Sequence, residues 1–212
     1  MQAVERIINN ESWITIVILI AIILLSLMKL LNSDKLLGYA TAFYTPGFFQ
    51  KRVEDNPSFT SPFNLILFTY TAIVISLFAF LVLLPKSFKH DFYTFSILFL
   101  CLLCYILFRK ALDYFLVNVL GLTQILKYFL LTKLGYLYVS CLWLLPFVVL
   151  YQFTFKSPIF LISSFSILFV FRAFLILNNN KRIVIGKMFY FILYFCTLEI
   201  APLLILYKTT TT

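Results

Sequence analysis

Residues 13–31 read WITIVILIAIILLSLMKLL, and this stretch decides the fold class. It is apolar on every helical face, with Lys29 as its one charge. About 20 consecutive apolar residues let an α-helix cross the hydrocarbon of a bilayer. A strand of a membrane β-barrel would instead alternate apolar and polar positions over roughly ten residues. A signal peptide would show a basic leader, a shorter apolar core and a small-residue cleavage site. Here the leader MQAVERIINNES sets Glu5 and Glu11 against a single Arg6, so the run reads as a retained helix.

Five more runs of this kind follow, at 63–84, 92–108, 134–155, 158–177 and 188–207. Composition agrees. The 212-residue chain is 63% hydrophobic and 12% charged, with a mean hydropathy of +1.02, whereas soluble domains carry about 25% charged residues. The expected fold is all-α: a polytopic helical membrane protein, one transmembrane domain over 1–212, with about six transmembrane helices plus an interfacial helical segment at 109–133. That segment is apolar but carries Arg109, Lys110, Asp113, Lys127 and Lys133. As a full span it would put several charges into hydrocarbon. As an extension of the third helix followed by a helix lying in the interface, it lets them reach water.

The net charge of +9 does not indicate a nucleic-acid partner, because the basic residues cluster at the ends of the apolar runs. With six spans, Arg6, Lys86, Lys89, Lys156 and Lys208 fall on one side, and the other twelve of the 17 basic residues on the opposite side. Positive charge favours the cytoplasm, so both termini are expected outside it. The connection from Asn32 to Pro62 is the longest polar one, with Pro46, Pro57 and Pro62 as turn signals. Its aromatics Phe43, Tyr44, Phe48, Phe49 and Phe59 suit a segment at the membrane interface or a docking surface for a partner.

The stretch FCTLEIAPLL, 195–204, sets Glu199 about 16 Å into the last run, mid-bilayer, at 1.5 Å per residue. A carboxylate at that depth must be protonated, paired or facing a wet cavity. Pro202 removes the donor for the Leu198 carbonyl and favours a kink. Arg172, in FVFRAFLIL, is the opposite charge on the preceding run, about 9 Å from its cytoplasmic end. Glu199, Arg172 and Pro202 are thus the intramembrane site candidates. Arg109, Lys110, Lys127 and Lys133 form an interfacial basic cluster, and such clusters hold anionic lipid headgroups.

Signals for catalysis are thin. Cys101 and Cys104 read CxxC inside FLCLLCYIL, without the further ligands a zinc site needs. His90 is the one histidine, in a short loop. Neither HExxH, GxSxG nor a Gly-rich phosphate loop occurs, so no catalytic residue, metal site or cofactor is expected.

Two stretches carry a resemblance: RKALDYFLVNVLGLTQILKYFLLTKLGYLY and, more specifically, NNNKRIVIGKMFYFILYFCTLEIAPLLILYK. They resemble a Bacteroidota family of integral membrane proteins known as a domain of unknown function, over most of the chain. The resemblance implies a multi-helix protein of a bacterial inner membrane and brings no activity with it. The residues and the resemblance together suggest a non-enzymatic subunit of a larger envelope complex, linked to protein export or envelope assembly, with the bilayer and other membrane subunits as partners. The alternatives are a small transporter or proton-coupled carrier using Glu199, and a lipid-handling protein.

Overall fold

The computed structural model describes residues 12–45, 48–49, 61–83, 91–119, 123–154 and 157–179, and for 114–119, 123–129 and 177–179 the backbone alone. Glu199, Pro202, His90, Phe59 and the run at 188–207 lie outside the described residues. The protein is a polytopic helical membrane protein. Six helices are described: α1 (Ser12–Leu31), α2 (Ser33–Thr41), α3 (Pro62–Leu83), α4 (Phe92–Val119), α5 (Thr123–Phe153) and α6 (Pro158–Asn179). Five of them, all but the nine-residue α2, are long and apolar enough to cross a membrane. Helices are the expected solution, because lipid offers no hydrogen bonds and each backbone group must find its partner within the segment.

Local chemistry sets the helix ends. The Asn32 N–H donates to the Met28 carbonyl at 3.1 Å and closes α1. The Asn32 side chain then accepts from the Lys35 N–H at 3.0 Å and caps α2. A single residue therefore ends one helix and starts the next. At the far end of α2, where carbonyls lose their helical donors, the Trp143 indole of α5 donates to Ala40 at 3.2 Å. Pro62 and Pro158 each open a helix, the position where a missing N–H costs nothing. Pro62, a turn signal in the sequence, is thus the first residue of α3, and part of the polar connection before it is the helix α2.

The bundle is built around α3, which packs against α1, α4, α5 and α6. Its Leu67, Tyr70, Val74 and Phe80 are fully buried. Spans alternate in direction. Trp13 at the start of α1 meets Phe80 near the end of α3, ring centroids 5.0 Å apart, and Phe95 near the start of α4 at 5.3 Å. At the opposite end, Tyr39 of α2 stacks on Phe63 at the start of α3. Three buried hydroxyls turn back onto their own helices: Thr71 donates to Leu67, Ser76 to Ile73 and Ser164 to Phe160. Such bonds satisfy a hydroxyl without a neighbouring helix, so the core joins its helices mainly through apolar and aromatic packing.

Most of the described aromatics of the 32–62 connection are used inside the chain. Phe43 and Phe49 are buried and Phe48 half-buried, while Tyr44 is exposed. Phe49 meets Tyr136 of α5 edge-on at 4.8 Å, and Phe43 meets Phe171 of α6 at 5.2 Å. The rings of Phe48 and Phe49 occupy the space a Cβ would need at Gly38 and Gly135 respectively. Two glycine notches, on α2 and α5, therefore seat this aromatic pair.

Candidate functional site

The segment 109–133 is divided between the continuation of α4 and the first turns of α5. This division distributes the basic cluster over two helices. Lys110 leaves α4 toward the bundle. Its ammonium lies 3.9 Å from the centroid of the Phe68 ring on α3 and 3.4 Å from the Tyr138 hydroxyl on α5. A cation over a ring face is attracted by the ring quadrupole, so one lysine bridges three helices. Arg109 donates to the Tyr105 hydroxyl at 3.3 Å, one turn back on α4.

Arg172 also points inward. Its Nη2 donates to the Lys133 carbonyl on α5 at 3.3 Å, and the residue is half-buried. Lys133 is itself buried, at 9% exposure. Arg172 and Lys133 belong to different candidate groups in the sequence, one intramembrane and one interfacial. The fold brings them to one place on the seam between α5 and α6. Next to them, Phe171 and Tyr136 both touch Phe43, so the α2 segment closes against the same seam. Lys127 lies in the first turns of α5, with only its backbone described.

The long stems of Lys and Arg ordinarily carry their charge outward to water. Here Lys110, Lys133 and Arg172 are held in or against the protein interior. Cations in such a place are costly unless hydrogen bonds, ring faces or anions surround them. The arrangement can grip an anion or lock helices together. Among the described residues the carboxylates are Asp34, Asp91 and Asp113, and no three His, Cys, Asp or Glu side chains gather. Cys101 and Cys104 are exposed on α4 and form no disulfide.

The residues that sequence reasoning missed are Phe68, Tyr136 and Tyr138. A signal was present, because tyrosines within a turn or two of basic residues mark the interfacial belt. That belt does not say which tyrosines face inward. No curated protein and no solved structure matches the chain. A family model described as a domain of unknown function, DUF4271, matches residues 14–210, and the chain belongs to that family.

Proposed function

We propose that the chain is a non-enzymatic subunit of a larger bacterial inner-membrane complex, one that serves protein export or envelope assembly, with both termini in the periplasm. The observation that carries this reading is the contrast between the flanks and the interior. On α4, Tyr93, Leu100 and Phe108 are exposed, and on α6 so are Ile159, Ile167 and Phe174. Large side chains on two flanking helices suit lateral contact with lipid and with other membrane helices. The described interior is filled mainly by apolar and aromatic side chains, with the cations Lys110, Lys133 and Arg172 held at helix seams by rings and hydrogen bonds. That filling suits a rigid scaffold better than a hydrated path.

The test is purification of the tagged protein from native membranes in mild detergent, with mass spectrometry of what accompanies it. Membrane partners in fixed stoichiometry are expected. The pair Ile167→Ala and Phe174→Ala, on an exposed face, is expected to reduce them while the chain still accumulates. Recovery of the chain alone, as monomer or homo-oligomer, contradicts the reading.

One observation favours the carrier reading as second choice: the inward Arg172 at the α5–α6 seam is a counter-charge suited to an intramembrane acid. A carrier would lose activity in Glu199→Gln with assembly intact, whereas a subunit would lose its partners.

A further inference from the structure

The chain turns back into the membrane after its first crossing. The ring of Trp13 meets that of Phe92, the first residue of α4, at 6.0 Å, so Trp13 marks one end of the bundle. Phe165 of α6 stacks on Phe78 of α3, beside the Phe80 that meets Trp13, and this puts the start of α6 and the end of α5 at the same end. From Trp13 to Leu31 the helix α1 covers about 27 Å at 1.5 Å per residue, close to the ~30 Å of a hydrocarbon core. The residues that follow do not stay that far away. Trp143, which donates to the Ala40 carbonyl, stands ten residues before Phe153, the last residue of α5, or about 15 Å from it. Phe171, which meets Phe43, stands thirteen residues after Pro158, the first residue of α6, or about 20 Å from it. Tyr138, which meets Tyr39, is about 22 Å from Phe153 by the same rise. The contacts of residues 39–43 thus fall short of the level at which α1 ends.

Sequence and bonding fit that place. Residues 36–45, LLGYATAFYT, carry no charge, whereas Asp34 and Lys35 stand in the first turn of α2, where the chain turns back. A helix leaves its last four carbonyls without helical donors, and in a water-facing loop water can take them. Here the chain supplies close donors to three. The Ala42 N–H donates to Tyr39, the Trp143 indole to Ala40, and the Tyr44 and Thr45 N–H groups to Thr41. The fourth, Gly38, has the Thr41 hydroxyl at 3.5 Å. Exposed hydroxyls are turned inward too: Thr41 donates to the Leu37 carbonyl at 2.8 Å, and Thr45 to that of Thr41 at 3.1 Å. Lipid offers no hydrogen bonds, so backbone at membrane depth must be satisfied within the protein.

The element has an inner and an outer side. Tyr39, Ala42 and Phe43 are buried, while Leu37 is 67% exposed, Tyr44 76%, and Thr41 between them is exposed as well. Leu27, Leu30 and Leu31, exposed on the last turns of α1, lead into that outer side. We propose that α2 and the turn to Thr45 form a re-entrant element embedded in the membrane leaflet where α1 ends, with Leu37, Thr41 and Tyr44 against lipid acyl chains. The aromatic pair Phe48 and Phe49, seated at Gly38 and Gly135, pins the returning chain to α2 and α5. The inference goes beyond the subunit reading and does not depend on it, since a lone protein would embed the same segment.

The experiment is nitroxide labelling of Lys35→Cys, Leu37→Cys and Tyr44→Cys, one at a time, in the full chain without its native cysteines, reconstituted into phospholipid vesicles. Collisions with oxygen, which dissolves in hydrocarbon, are compared with collisions with a water-soluble nickel chelate. The oxygen-to-nickel ratio is expected to be several-fold higher at 37 and 44 than at 35. Equal ratios at the three positions overturn the proposal and make the segment a water-facing loop. Shielding of 37 and 44 from both reagents overturns it as well, because a second copy of the chain would then cover the face. Hydrogen exchange of the unmodified chain in lipid nanodiscs serves if the cysteine-free chain fails to accumulate. Amides 37–45 are expected to exchange as slowly as those of α1, and exchange as fast as in an unfolded peptide overturns the proposal.

Discussion

Gly135→Leu is expected to destabilise the bundle by about 2–3 kcal/mol, an overpacking cost. Opposing terms decide the sign. Removing glycine from a helix interior gains up to ~1 kcal/mol of helix propensity. Against this, the ring of Phe49 already occupies the space of a Cβ at position 135, and a leucine adds three further carbons. The ring must leave its seat against Tyr136 and Tyr39, which undocks the α2 segment from α5. Denaturant unfolding in detergent measures the loss. Phe49→Ala should be costly by itself, yet Gly135→Leu should cost much less in that background, because the ring it collides with is gone. Strictly additive losses would show that the notch is not where these residues interact.

The second large effect is expected at Tyr70. Tyr70→Ala should cost about 3–5 kcal/mol, the range for deleting a fully buried ring. Its side chain has 0% exposure on the central helix α3. Burial in a membrane bundle gains little from excluding water, since lipid is also apolar. The cost comes instead from the cavity and the lost dispersion contacts. The hydroxyl contributes little, because its hydrogen bond to the Cys141 carbonyl is long, at 3.5 Å. Tyr70→Phe should accordingly lose less than about 1 kcal/mol. Unfolding curves of the two variants side by side separate ring from hydroxyl. A phenylalanine variant as weak as the alanine one would place the stability in the hydrogen bond.

The helical membrane class was legible because the runs are apolar at every position. The same property hid the packing. An amphipathic helix announces its buried face by contrast with a polar one, but Leu67 and Leu65 look alike in PFNLILF although one is buried and the other exposed. The α2 helix was missed for another reason. Nine residues with a glycine inside, SDKLLGYAT, form a helix through the Asn32 cap and the Trp143 contact, and the second comes from more than a hundred residues away. At the candidate site, sequence placed Arg109, Lys110, Lys133 and Arg172 near span ends, and depth is a matter of counting. It did not reveal that Lys110 and Arg172 turn inward, because that choice belongs to the rings and carbonyls across the helix seams. Gly135 reads as an isolated glycine until Phe49 is seen lying on it.

The most direct test of the account is the sidedness of the bundle ends. Single cysteines introduced as Lys35→Cys, Asp91→Cys and Ser157→Cys, in a chain without its four native cysteines, can be probed with an impermeant maleimide on intact spheroplasts. Alternating spans with the basic end inside predict labelling at 91 and 157 from the outer face, and at 35 only after the membrane is opened. Labelling of 35 and 157 from the same side would contradict the alternation of the spans α1, α3, α4, α5 and α6.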